Sequence, residues 1–134
     1  MAGYSGTPLP KKLGIKPNYR VFFDGIPADV RAELKDALVD CEVRKQARGP
    51  LELVMLFVKN RAELESRLPA LSRQLAPAGM LWISWPKKTS GVPTDVSEKE
   101  VRETGLAIGL VDIKVCAVNE VWSGLKFVIP VAKR

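Results

Sequence analysis

Met80-Leu81-Trp82-Ile83-Ser84-Trp85-Pro86-Lys87-Lys88-Thr89-Ser90-Gly91-Val92 is an apolar run that passes into a basic, hydroxyl-rich loop. Its first six residues read as a buried strand, Met80 to Trp85, and the loop from Pro86 onward marks its carboxyl end. In an open α/β sheet that end is where ligands bind. The fold reading grows outward from this strand.

Upstream, Leu64, Leu68, Leu71 and Leu75 keep helical spacing, with Pro69 set among them. A proline inside a helix removes a donor and crowds the preceding turn, so the spacing predicts a kink or two abutting short helices. Asn60, three residues before Glu63, marks the start, and Pro77-Ala78-Gly79 the end. Before it lies Leu51-Glu52-Leu53-Val54-Met55-Leu56-Phe57-Val58, a nearly unbroken apolar run. Such a run suits a central strand covered on both faces, hence a parallel sheet. Further back, Tyr19 to Asp24 is the first strand, followed by Gly25. Val30, Leu34, Ala37 and Leu38 give one surface helix over 28–38, and Cys41-Glu42-Val43 is a weak second strand. The first sixteen residues form a basic arm without acids, irregular except for a turn of helix at Leu9 to Gly14.

Downstream, Ser97 and Glu100 form a capping box, Val96 and Val101 a hydrophobic staple, and Gly109 a left-handed stop. Val111 to Ile129 then reads as an antiparallel hairpin turning at Asn119-Glu120. Strands alternating with helices define a three-layer α/β domain.

The 134 residues suffice for one domain with a core, 46% of them hydrophobic. No apolar run is long enough for a membrane helix, and no leader pattern opens the chain, so a cytoplasmic protein is expected. The absence of histidine excludes Ser-His-Asp and Cys-His nucleophile systems and histidine-based zinc sites. Cys41 and Cys116, the only cysteines, are expected to be reduced and packed in the core. The formal charge of +6 raises nucleic-acid binding, but the basic residues share their helices with acids, which favours solvated faces.

Pro77-Ala78-Gly79-Met80-Leu81-Trp82-Ile83 resembles the post-helix turn and strand of class I S-adenosylmethionine methyltransferases. Leu13-Gly14-Ile15-Lys16-Pro17-Asn18-Tyr19-Arg20-Val21 resembles their approach to the first strand. Tyr4 to Leu9, Trp85 to Val92 and Lys114 to Val128 resemble an uncharacterised bacterial family of small proteins, a conserved domain of unknown function. The resemblance implies a Rossmann-like, mostly parallel sheet of order 2-1-3-4-6-5 with the last strand antiparallel. Three departures weaken the cofactor half, the first being that too few residues separate the first strand from the Leu51 strand for the usual two intervening β-α units. Phe23-Asp24-Gly25-Ile26-Pro27-Ala28-Asp29 offers one glycine where methyltransferases have a glycine-rich turn. The second strand, which should end in the acid that holds the ribose, is short.

Four candidate sites emerge. Lys87, Lys88, Thr89, Ser90 and Gly91, beside Trp85, offer charge, hydroxyls and a flexible backbone for an anion, against the plainer reading of a solvated turn. Lys114 and Lys126 stand within apolar strands, where they protect an edge, pair with Asp112 or Glu120, or face a site. Trp82 reads as core, while Trp85 and Trp122 border polar loops and could wall a pocket. The arm carries Tyr4, Ser5, Thr7, Lys11 and Lys12, which could fold over the rim. These residues point first to a non-catalytic binding or regulatory module that takes an anionic small molecule or a protein partner. A divergent methyltransferase is the second reading and a nucleic-acid-binding protein the third. The sequence names no cofactor, and homodimerisation through a sheet edge or helix face stays open.

Overall fold

In the computed structural model, which describes residues 6–134, Leu51–Phe57 (β3) lies inside a six-stranded sheet. Around it stand Arg20–Asp24 (β1), Glu42–Val43 (β2), Leu75–Pro86 (β4), Val111–Ala117 (β5) and Trp122–Val128 (β6), in the order β2-β1-β3-β4-β6-β5. The strands β1 to β4 pair in parallel, and β6 is antiparallel to both β4 and β5. Order and directions are those expected.

Both faces of β3 are buried because its side chains feed two cores. Leu53, Met55 and Phe57 join a cluster with Leu9, Leu13, Val30, Leu34 and Trp82. Val54 and Leu56 join a second with Leu64, Leu68, Ile83, Val101 and Phe127. The first core is closed by the helices Leu9–Leu13 (α1), Ala28–Glu33 (α2) and Lys35–Leu38 (α3), and the second by Arg61–Ser72 (α4) and Glu98–Ala107 (α5). This gives three layers. The indole N–H of Trp82 donates to the Leu13 carbonyl at 3.0 Å, which ties α1 to the sheet.

Several local expectations change. The single helix expected over 28–38 is two, because the chain tightens at Leu34, whose N–H bonds back only three residues to Arg31. Leu34 and Leu38 still reach the core, so the apolar face persists across the break. One helix, α4, continues through Pro69, and it ends at Ser72 rather than reaching Leu75. Leu75 instead opens β4, five residues before the expected start. Pro77-Ala78-Gly79 is therefore an irregular bulge within a strand, between the partners Leu51↔Leu75 and Leu53↔Met80. Asn60 caps α4 as expected: its Oδ1 accepts from the Glu63 N–H, and Glu63 accepts in return from the Lys59 N–H. At α5 the box closes differently. The Ser97 hydroxyl donates to the Glu100 carboxylate at 2.7 Å and caps no backbone amide.

Candidate functional site

Parallel strands deliver their carboxyl ends to one rim, where Asp24, Phe57 and Pro86 meet the start of the antiparallel β6 at Trp122. From β1 the chain first goes outward to β2 and then returns to the other side of β1 as β3. The gap between β1 and β3 is thus the switch point of the sheet, the place where open α/β folds leave a crevice.

A crevice of about 560 Å³ occupies this place, a size suited to a small ligand. Gly25 and Pro27 line it after β1, Phe57 and Lys59 after β3, Glu63 and Arg67 from α4, and Trp122 from β6. Gly25 holds φ +73°, and a Cβ there would stand 3.0 Å from the Phe57 carbonyl oxygen. A larger residue would both strain the turn and fill the crevice floor. Phe57 and Trp122 meet edge to face, centroids 5.2 Å apart at 83°, and form an apolar wall. Arg67 supplies the polar side: its Nη1 donates to Asp24 Oδ1 at 2.9 Å, and its Nη2 stands 3.6 Å from Glu63 Oε2. With Lys59 these groups carry two positive and two negative charges.

The rim continues toward β2 as a recess of about 360 Å³ that includes Phe23, Arg31, Arg44 and Lys45. The Arg31 guanidinium lies over the Phe23 ring, 5.1 Å from its centroid. No acid ends β2; Arg44 and Lys45 follow it directly. A third, more apolar groove of about 410 Å³ lies between α2, α3 and β2, and Arg31 and Lys35 are its charged groups.

The residues singled out by sequence fall in three places. Trp122 lines the crevice, while Lys87 to Gly91 lie beside it and only Val92, at the end of their loop, reaches its wall. The loop is held by itself and by the hairpin. The Lys87 N–H donates to the Val121 carbonyl at 2.7 Å, and the Ser90 hydroxyl donates to the Lys87 carbonyl at 2.6 Å. Lys88 and Thr89 are exposed. Trp85 is buried in the second core and lines none of these three recesses. Lys114 and Lys126 are register partners, and Lys12 reaches over from α1 to donate to the Ala117 carbonyl at 3.0 Å. The Asp112 carboxylate bonds Arg102 and so is no partner of Lys114. Lys11 is exposed, and Tyr4 and Ser5 lie outside the described residues.

Sequence reasoning did not single out Lys59, Glu63, Arg67 or Phe57. One signal was available: Glu63 and Arg67 are four apart on a helix that starts directly after the central strand. Neither cysteine is an activated nucleophile. Burial pushes the Cys116 thiol up, against the downward pull of Lys12, Lys114 and Lys87, and burial likewise raises Cys41. Among the described residues no cluster of acids and cysteines could hold a metal ion, and no helix is long and apolar enough to cross a membrane.

Comparison with solved structures places this sheet among methyltransferases. A precorrin-6y C5,15-methyltransferase from Geobacter metallireducens superposes with a TM-score of 0.59 at 10% identity, over 90% of this chain and 85% of that one. An S-adenosylmethionine-dependent methyltransferase from Aquifex aeolicus gives 0.58 at 15%, over 87% and 85%. Fibrillarin from Aeropyrum pernix, solved with natively bound S-adenosyl-L-methionine, gives 0.56 at 14%, over 94% and 70%. At these identities the likeness shows a shared fold. None of the curated proteins compared with the chain matches it. A family model described as a protein of unknown function (DUF3052) matches residues 11–131. These neighbours correct the expectation of a non-catalytic binding or regulatory module. The folds this chain shares are those of methyltransferases, and its crevice lies at the β1/β3 switch point of its own sheet rather than in the lysine loop.

Proposed function

The chain belongs to the DUF3052 family, and from that premise we propose that it is a divergent S-adenosylmethionine-dependent methyltransferase. The observation that carries this reading is the crevice at the β1/β3 switch point of a sheet with methyltransferase order.

The residues present fit the amino-acid end of the cofactor. That end carries one ammonium and one carboxylate, and Asp24, Lys59, Glu63 and Arg67 offer two charges of each sign in one place. Arg67 and Lys59 would hold the carboxylate, Glu63 and Asp24 the ammonium. The floor at Gly25 leaves the room that a side chain would take. The wall of Phe57 and Trp122 would exclude water from the reacting end. At the ribose end this chain departs from the usual pattern: Lys45 and the remaining Nη2 of Arg44, whose Nε bonds Glu42 and whose Nη1 bonds the Arg48 carbonyl, offer donors where an acid would accept. Hydroxyl oxygens accept from such donors, so the sugar can still be held, with its hydrogen bonds reversed in direction. The cofactor, when bound, supplies an electrophilic methyl group on a sulfonium.

Isothermal titration with S-adenosylmethionine tests the proposal. One-to-one binding by the natural chain is expected. Arg67→Gln should weaken it about 10- to 100-fold, the equivalent of one charge-assisted hydrogen bond. Absence of binding heat together with an unmoved melting temperature at millimolar ligand would overturn the assignment.

A further inference from the structure

The groove of about 410 Å³ between α2, α3 and the edge strand β2 has no part in the cofactor reading. Ala28, Ala32, Leu38, Val39 and Val43 give it an aliphatic lining. Val39 is 77% exposed, and because it lines the groove its exposure belongs to a recess rather than to a lone surface residue.

Charge around this groove is sorted by sign. Between Ala28 and Val43 the chain carries the acids Asp29, Glu33, Asp36, Asp40 and Glu42, and its only cations are Arg31 and Lys35. Both cations line the groove, and none of the acids does. A segment with a surplus of acids thus offers this recess positive charge alone. Among the described residues neither Arg31 nor Lys35 joins an ion pair. The Arg31 guanidinium is steadied by the Phe23 ring beneath it, 5.1 Å from the centroid. Two like charges beside one apolar recess repel each other, and an anion held by both would offset that repulsion.

We propose that this groove binds a medium-chain fatty carboxylate, its head held by Arg31 and Lys35 and its alkyl chain laid against the aliphatic lining. The chemistry of the lining selects this occupant. An alkyl chain has no polar atom to satisfy, and apart from the two cations the groove offers it only aliphatic side chains. A sugar or base would bring its own donors, which cationic side chains cannot accept, and a peptide would bring an amide at every residue. One carboxylate matches two cations through charge-assisted hydrogen bonds. The volume is that of a small-molecule site. The groove shares only Arg31 and Val43 with the recess toward β2, so the inference stands apart from the cofactor reading.

The test is isothermal titration with hexanoate, octanoate and decanoate, and with decyltrimethylammonium as a chain of the same length and opposite charge. One-to-one binding is expected, tightening about two- to fourfold per added methylene, the upper figure corresponding to full burial. Decyltrimethylammonium should bind roughly tenfold more weakly than decanoate, or not at all. Lys35→Gln should weaken decanoate about 5- to 10-fold, and Val39→Asp, which sets a like charge beside the chain, by about tenfold or more. Lys99→Gln on α5, which removes the same charge away from the groove, should change nothing. Lys35 and Val39 are exposed, so both variants should fold like the natural chain, and circular dichroism checks this. No binding heat at millimolar decanoate, affinity independent of chain length, equal binding of decyltrimethylammonium, or equal loss in Lys99→Gln would each overturn the proposal. So would capture by phosphatidylglycerol vesicles without binding of free decanoate, which would make the groove a membrane contact. S-adenosylmethionine titration of the same proteins separates the two ideas. Decanoate binding without cofactor binding sinks the methyltransferase reading and leaves the groove standing, and the converse result does the reverse.

Discussion

Ser84 is fully buried at the carboxyl end of β4, and its hydroxyl has no hydrogen-bond partner among the described residues. Around it stand Trp82, Val118 and the bare Cα of Gly124, whose missing Cβ would lie 3.3 Å from Ser84 Oγ. A buried hydroxyl that makes no bond costs about 1–3 kcal/mol of desolvation. Ser84→Ala removes the oxygen and leaves only a small void, so it should be neutral or stabilising by up to about 1 kcal/mol in urea unfolding. A loss of more than 1 kcal/mol would show that the hydroxyl has a bonding role in the native fold. Nothing in the sequence marks this serine as unusual. It sits in an apolar run, and only the packing of β6 against β4 removes its partners.

At the scale of the element, the bulge in β4 is the feature that the sequence disguises. Pro-Ala-Gly after a leucine-spaced helix reads as a stop, because proline and glycine ordinarily end elements. Here Leu75 has already paired with Leu51, and the bulge absorbs the extra residues before Met80 meets Leu53. Gly79 permits this approach: a Cβ at that position would lie 2.6 Å from the Leu51 carbonyl oxygen and 3.0 Å from that of Ala76. Both atoms are backbone and cannot swing aside. Gly79→Ala should therefore cost about 1–3 kcal/mol, read from the urea midpoint. A change within 0.5 kcal/mol, a surface-like value, would mean that the bulge is loosely paired. The start of α4, the stop after α5 and the hairpin turn were legible because their signals are local. Asn60 and Glu63 are one turn apart, Gly109 carries a positive φ, and Asn119 accepts from both Val121 and Trp122 to fold the hairpin turn.

Across the whole molecule, the ion pairs that join separate elements are made by arginines. Arg20 pairs with Glu52, Arg67 with Asp24 and Arg102 with Asp112, whereas Lys114 and Lys126 stand opposite each other on β5 and β6. Lys126 is the more constrained of the two, since burial first and Lys114 second hold its pKa below the usual lysine range. The folded chain releases this proton at a lower pH than the unfolded chain does. Its penalty is full below the folded-state pKa, and stability should recover as pH rises from there toward the unfolded value. Lys126→Met should therefore melt higher than the natural chain at pH 7, with the gap narrowing toward pH 10. A gap that is absent at neutral pH, or constant across the range, would sink this account.

The sequence by itself determined the element order, the two-faced burial of β3 and, through the methyltransferase resemblance, the strand order and the antiparallel sixth strand. Each rests on periodicity or on a motif within about twenty residues, which the chain writes in one dimension. The tertiary structure alone decided where the site lies. Gly25, Phe57, Arg67 and Trp122 come from four separate elements, and only the reversal of chain direction at β1 brings them to one crevice. It likewise placed Trp85 in the core, brought Lys12 to the Ala117 carbonyl, set Lys114 opposite Lys126, and kept Lys87 outside the crevice. Hydrophobic spacing fixes which face of an element is buried. Which polar groups then share a rim depends on crossover and register, and these are properties of the sheet rather than of any one stretch of chain.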